Sequence, residues 1–532
     1  MPQIGYAHRP LAQGREGMVA SAHPLATLAG VEVLKSGGTA ADAAIAVNAL
    51  LSVTQPYCCG PGGDFFCLYY EAASGRVHFL NGAGRSGERA SLAELRRRNL
   101  GEVPFQGPGS VSVPGCVRAW AMLGERFGTR PLAELLAPAI HYAETGFPTT
   151  SLVSQAIAER RGVIEDPEWQ RIFVPGGRVP RVGDLLVQAD LARTLSALAR
   201  EGPDPFYRGP IGQAIARRLD QDGFLTGEDL ASHTGEWGEP VAVSYRGHTV
   251  YETPPPTQGL AALLALNLLE GFELARLQYH SAEHLHLLVE MVKLAYADRD
   301  RWIADPSRSR VPVARLLTKE YAAERRRSFD PRKAQSFQWG DPGGDTTGFV
   351  VADRQGNLVS VIQSLYSSFG SGVVPEGTGV ILHNRGSYFS TDPAHPNCFG
   401  PRKRPFHTLI AAIATREGRP VMGFATMGGD GQALFHVQVL SSVLDFGMEI
   451  QEAIERPRFL MGRFMLGEPR QVLRIEDRVG RRALAGLARR GHRVEAASGF
   501  HHHMGHAHGI VIRDGTITGG ADPRGDGIAL GY

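Results

Sequence analysis

The chain has 532 residues, 43% of them hydrophobic, with 56 Lys and Arg set against 54 Asp and Glu for a formal net charge of +2. This is ample material for a large core, and a near-neutral, mixed charge sets up no long-range field to gather nucleic acid or an anionic membrane. The five cysteines at 58, 59, 67, 116 and 398 form no CxxC pair, and no apolar run reaches the length of a signal peptide or membrane span, so a cytoplasmic protein with reduced thiols and a small-molecule partner is expected.

Residues 22–54 read as two buried helices parted by Gly37 and Gly38, residues suited to a helix end and a sharp turn. CCGPGGDFFCLYY (58–70) passes from a tight turn into a strand, with RVHFLNG (76–82) as its partner. GPGGD lacks the Lys and Ser/Thr of a phosphate-binding loop. Gly82, Gly84 and Gly87 spell GxGxxG ahead of the helical ERASLAELRRRNL. No second strand with an acidic end follows at about 20 residues, so no nucleotide is expected there. From 114 to 300 apolar residues recur at helical spacing, interrupted by two short strands near 241–252, and 318–344 is polar and turn-rich, the stretch expected to be exposed or mobile.

That polar stretch leads into GGDTTGFVVADRQGNLVSVIQSLYSSFGSG (343–372), a hairpin pattern with Asp345, Thr346 and Thr347 at its mouth. A threonine hydroxyl needs a base beside it. Cutting the chain in front of the threonine supplies one, because the freed α-amino group has an unperturbed pKa of about 7.7–8. The residues alone leave this reading beside that of a plain strand start.

Strands are expected at 378–386, 406–415 and 419–429, the last running through Gly428, Gly429 and Gly431 into the helix DGQALFHVQVLSSVLDFG. Glycines at a helix start let backbone N–H groups approach a ligand, an arrangement that suits an oxyanion hole. The C-terminal part alternates helix and strand. The histidine run at 500–508 has neither an HExxH pattern nor an accompanying carboxylate, and is read as loop or pocket-edge residues with no metal and no cofactor.

Taken together, GMVASAHPLATLAGVEVLKSGGTAADAAIAV, PPPTQG, AYADRDRWIADP, DTTGFVVAD with QGNLVS, FGSGVV, RKRPFHT, MGGDGQ and ADPRGDGIALGY, in this order, resemble the γ-glutamyltransferases (glutathione hydrolases), a family of N-terminal-nucleophile hydrolases. The resemblance implies an α+β fold, a four-layer αββα sandwich, cut between Asp345 and Thr346 into a 1–345 piece and a 346–532 piece that share one core. It implies Thr346 as nucleophile and base, Ser364 bonded to it, and Gly428 and Gly429 as oxyanion donors. The partners implied are a small amide and a water or amine acceptor, and an assembly of several copies is compatible with it. In substrate recognition the chain departs from the family. The family's carboxylate-binding Arg has Arg85 as its nearest counterpart, shifted by about two positions; the serines assisting it become His407 and Thr408. The acidic residue that pairs with the glutamyl ammonium becomes Tyr388, an amide or acid nearby becomes Arg385, and an asparagine near the nucleophile becomes Tyr366. A guanidinium where an ammonium should sit is repulsive. The expected activity is therefore hydrolysis of γ-glutamyl amides such as glutathione, with an acylase for carboxylate-bearing acyl amides lacking the amino group as its close competitor. An unprocessed relative that only binds metabolites is the alternative of another class.

Overall fold

Alternation along the central strands decides the layering. In the computed structural model, which describes residues 8–336, 345–462 and 471–532 (of Asp345 the backbone only), Phe349 and Val351 of the strand Asp345–Ala352 join one apolar cluster while Val350 and Ala352 join another. Its partner Leu358–Tyr366 divides the same way, Val359 and Val361 against Leu358 and Ile362. Both faces of this sheet are therefore covered, as the two-residue side-chain period of a strand requires when apolar residues fall on both faces.

The strand order is Ile528–Gly531, Met18–Ser21, Asp345–Ala352, Leu358–Tyr366, Asp64–Glu71, Arg76–Asn81, Glu236–Gly238, all antiparallel. A second antiparallel sheet of seven runs Ala12–Gly14, Thr516–Ala521, Ala507–Arg513, Arg419–Thr426, Ala411–Arg416, His248–Glu252, Val241–Tyr245. Between them lies a thin core of Met18, Ala20, Phe66, Leu68, Val350, Ile362, Ala411, Ile413 and Ile510. The helices Pro24–Lys35, Ala40–Thr54, Leu132–Thr145 and Ala189–Glu201 cover the first sheet. Gly259–Leu269, Ala282–Trp302 and Gln432–Leu444 cover the second. The result is the expected αββα sandwich, and both sheets take strands from before and after the Asp345–Thr346 bond.

Local chemistry explains the elements that frame the site. Thr39 caps the fully buried helix Ala40–Thr54 in a reciprocal box with Asp42, and Gly37, at φ 92°, ends the helix before it. The turn at 60–63 is tight because other chain lies against it. A Cβ on Gly62 would stand 2.1 Å from the Ile381 carbonyl oxygen and one on Gly84 1.7 Å from that of Val113, so these glycines, including the GxGxxG run, serve close backbone packing. Gly348 has the same cause: a Cβ there would meet that of Ala425 in the facing sheet at 2.8 Å.

The expected strand at 378–386 is not formed. Its backbone groups bond instead to turns and strand ends, Leu382 N to Val373 O, His383 N to Gly62 O and Asn384 N to Leu365 O, and Arg385–Tyr388 is a 3-10 turn. In the expected strand at 406–415 only the part from Ala411 onward pairs regularly; His407 makes an isolated bridge to Thr257. Among the described residues no helix is long and apolar enough to cross a membrane.

Candidate active site

The hairpin mouth separates the two threonines by strand geometry. Successive side chains leave a strand on opposite faces, and the Thr347 hydroxyl goes to the outer helical layer, 3.1 Å from Gln55 Oε1. Thr346 takes the other side. Its hydroxyl donates to Ser364 Oγ at 3.2 Å and accepts from Gln432 Nε2 at 3.4 Å, and it is 2% exposed. Ser364 Oγ also accepts from the Tyr366 amide at 2.7 Å. Between the pairs Asp345–Tyr366 and Thr347–Gln363, Thr346 alone stands opposite Ser364 and Leu365, so the register slips at this residue. Such an irregularity re-aims a side chain. Tyr366, just across it, holds the left-handed φ of 78°, a strained value for a bulky residue and one that clusters at functional sites.

Gly428 (φ 136°) and Gly429 (φ 54°) turn the chain out of the strand Arg419–Thr426 and into the helix Gln432–Leu444. Gln432 belongs to the first turn of that helix, so one residue ties the nucleophile candidate to the glycine loop, with its Oε1 fixed by the Ile410 amide at 3.0 Å. Gln258 braces the loop from behind, donating to the carbonyls of Gly429 at 2.9 Å and Thr408 at 2.8 Å. Asp430 is bound by the buried Arg299 at 2.7 Å and by the Tyr388 hydroxyl at 2.6 Å, and its carbonyl accepts from the Tyr296 hydroxyl. Burial, and then Asp430, push the Tyr388 phenol well above its ordinary range, so Tyr388 is a donor to this carboxylate.

Arg385 is fully buried. Its Nη1 donates to Thr408 Oγ1 at 3.1 Å, and its guanidinium lies 4.6 Å from the Tyr366 ring centre and 5.7 Å from that of Tyr388. Nε and Nη2 have no hydrogen-bond partner. Burial lowers its pKa and Asp64 opposes that. Asp64, at the start of its strand, receives the Gly84 amide at 3.3 Å on one oxygen, while the other has no hydrogen-bond partner and stands 3.7 Å from His407 Nε2 and 3.8 Å from His383 Nδ1. Burial raises the Asp64 carboxyl and lowers both imidazoles, His407 far below its usual value. The histidines are therefore neutral, and Asp64 is the counter-charge nearest in kind to Arg385. A buried guanidinium with two idle donors is costly unless something anionic meets it.

Arg85 stands apart from this group. Its Nη1 is taken up by Asp305 at 3.1 Å, Ser307 and the Arg402 carbonyl, its Nη2 by Glu236 at 3.2 Å. The structure thus gathers Thr346, Ser364, Tyr366, Arg385, Tyr388, His407, Thr408 and the Gly428–Gly429 loop, leaves Arg85 at a separate ion cluster, and adds Asp64, Gln258, Arg299, Asp430 and Gln432. Asp430 and Gln432 lie inside the MGGDGQ block, and Asp64 ends GPGGD, so a buried acid after a glycine turn was the available signal. The histidines at 501–508 make no metal group: among the described residues, three ligand atoms come within 4.8 Å of one another only at His286, Glu290 and His492. Gly505, within that run, packs behind the oxyanion candidate, where a Cβ would stand 2.3 Å from the Met427 carbonyl oxygen.

A γ-glutamyltranspeptidase family model matches residues 26–532. The chain belongs to the γ-glutamyltranspeptidase family. It is 38% identical over 526 residues to a glutathione hydrolase-like YwrD proenzyme of Bacillus subtilis (strain 168), covering 97% of this chain and 99% of the relative. It is 36% identical, again over 526 residues, to an oxamate amidohydrolase proenzyme of Klebsiella pneumoniae, covering 97% and 98%. The crystal structure of a cephalosporin acylase from Bacillus halodurans superposes with a TM-score of 0.92 at 37% identity, covering 100% of this chain and 99% of that one. The sandwich is accordingly that of the N-terminal-nucleophile hydrolases, and the chain is a γ-glutamyltranspeptidase-family hydrolase.

Proposed function

We propose that the chain is a self-cleaving amide hydrolase whose acyl substrate ends in a carboxylate and lacks the glutamyl amino group. In the uncut chain the Thr346 nitrogen is an amide and cannot act as base. Attack of the Thr346 hydroxyl on the Asp345 carbonyl would shift the acyl group from nitrogen to oxygen, and water would hydrolyse the ester, leaving a free α-amine. In turnover that amine takes the hydroxyl proton as Oγ attacks the substrate amide. The oxyanion is met by the backbone N–H groups of Gly428 and Gly429, the leaving amine departs with the proton, and water releases the acid by the same route. Ser364 and Gln432 hold the Thr346 oxygen in line.

The observation that carries the substrate class is Arg385, buried, set against two tyrosine rings and with two unpartnered nitrogens. An acyl carboxylate satisfies both. The oxamate amidohydrolase name among the relatives agrees with such a substrate, oxamate being an amide that carries a carboxylate. A second reading, γ-glutamyl amides, is favoured by the unpartnered oxygen of Asp64, which would accept an ammonium.

Intact mass and N-terminal sequencing test the first step: fragments must begin at Thr346, and Thr346→Ala must abolish both cutting and turnover. Side-by-side kcat/KM on glutaryl and γ-glutamyl anilides tests the second. A clear γ-glutamyl preference transfers the argument from Arg385 to Asp64.

A further inference from the structure

Two opposite charges share the pocket behind Thr346 without meeting. Asp64 stands directly across the ladder from Ser364, whose Oγ accepts the Thr346 hydroxyl, so its side chain leaves the sheet on the same face as the chemistry. The carboxylate is buried, with one oxygen on the Gly84 amide and Oδ2 without a hydrogen-bond partner. Arg385, equally buried, keeps Nε and Nη2 unpartnered. Each is an electrostatic counter-charge of the other, yet the open atoms on both sides mean that the two do not close on one another.

The groups around them hold their charges fixed. His383 Nδ1 accepts the Arg385 backbone amide at 3.0 Å, so a proton added there would break that bond. His407 Nε2, 3.7 Å from Asp64 Oδ2, is kept neutral by burial and by Arg385, His383 and Arg404. Arg404 is committed to Glu236 at 2.8 Å and to the Ala83 carbonyl at 3.1 Å. Cys116, at the start of the helix Cys116–Phe127, and Tyr207, at the end of Asp204–Tyr207, feel Asp64 from the outer layer, and burial keeps both protonated. Asp430, on the Arg385 side, is bound by Arg299 and Tyr388. Asp64 is the group left to change its charge.

Counting charge then separates two acyl groups. A γ-glutamyl group brings a carboxylate for Arg385 and an ammonium for Asp64, and the pocket stays neutral. A glutaryl group brings the carboxylate alone. Two buried carboxylates would then share one guanidinium, and a carboxyl so placed takes up a proton.

We propose that Asp64 is a specificity-determining residue that acts through its proton: ionised, it admits a zwitterionic γ-glutamyl group; protonated, it admits an acyl group whose only charge is a carboxylate. This rests on the reading that Arg385 meets the acyl carboxylate. Binding a glutaryl group therefore takes up one proton, and binding a γ-glutamyl group none. The sign follows. Asp64 holds its proton to higher pH in the glutaryl complex than in the free enzyme. Glutaryl turnover is thus full below the free-enzyme pKa and falls about tenfold per pH unit as pH rises from there toward the pKa of the complex.

The test is the ratio of kcat/KM for glutaryl and γ-glutamyl anilides, on fully cut wild type and Asp64→Asn, between about pH 5.5 and 7, where the substrates' own carboxylates and ammonium stay charged. Both substrates use the same Thr346 amine and the same leaving group, so these cancel in the ratio. The wild-type ratio should fall by about tenfold or more across the range. In Asp64→Asn it should be flat, and higher at pH 7 because the γ-glutamyl value drops. Calorimetry of glutarate and glutamate binding to wild type, in two buffers of different ionisation heat, reads the proton directly and stands if the variant folds poorly; glutarate should take up about one proton more. A flat wild-type ratio or equal proton uptake overturns the proposal, and a slope that survives in Asp64→Asn overturns its assignment to Asp64. A cut enzyme that turns over the γ-glutamyl but not the glutaryl anilide at every pH refutes instead the underlying reading of an acyl group without an amine.

Discussion

Replacing Arg385 by Met removes the charge that distinguishes this pocket while keeping a flexible side chain against Tyr366 and Tyr388. Two of its nitrogens are idle, so a substrate carboxylate can gain two charge-assisted hydrogen bonds, each worth about 1.5–3 kcal/mol. Taking the low end for both gives about 3 kcal/mol, or about a hundredfold in kcat/KM. The fold should survive, because Asp64, whose carboxyl burial already raises, takes up a proton when its counter-charge is lost. The assay is kcat/KM on three anilides of one length: glutaryl, γ-glutamyl and the uncharged pentanoyl. The glutaryl value should fall about a hundredfold and the pentanoyl value should hold or rise. Equal losses on all three would show that Arg385 only supports the pocket wall, and an unchanged glutaryl value would refute its contact with the substrate.

Two further substitutions probe the scaffold behind the chemistry. Gly428→Ala places a Cβ 2.5 Å from the Phe435 ring at a φ of 136°, so the loop must shift and kcat of the cut enzyme should fall about 10²–10³-fold with little change in KM; steady-state kinetics on pre-cut enzyme checks this. Asp522→Asn breaks a buried group in which the carboxylate is bound by Arg458 and Arg524 and accepts the Ala507 amide at 2.7 Å, at a cost of about 3–5 kcal/mol near neutral pH. Burial opposes the charge, but the two guanidiniums hold this carboxyl well below the usual carboxylate range. A depressed folded pKa gives stability that is full above the unfolded value, about 3.9, and fades as pH falls below it. Urea unfolding should therefore show a gap between wild type and variant that is wide at pH 7 and narrower at pH 3; a constant gap would refute the assignment.

The residues that sequence alone made legible are those whose neighbours lie close along the chain. The alternating apolar strands and the DRQGN turn made the hairpin legible, the family resemblance put Ser364 beside Thr346, and both lie on that one hairpin; the glycines at 428 and 429 announced a strand-to-helix turn by themselves. The αββα layering followed from the ordered motifs, and the two-residue period on both hairpin strands explains it. Which way each threonine points was not local. Thr347 meets Gln55 on one side of the sheet and Thr346 meets Gln432 on the other, each partner from a different layer. The segment 378–386 has strand-like composition, yet its backbone partners come from the turn at 62 and the strand end at 365, and a chain that packs on glycines cannot also pair in a ladder. Arg385 could be recognised from sequence as a charge out of place. Its idle nitrogens, its contact with the Tyr366 and Tyr388 rings, and the Asp64 counter-charge exist only because four distant stretches converge behind Thr346, where burial makes every unpaired charge count.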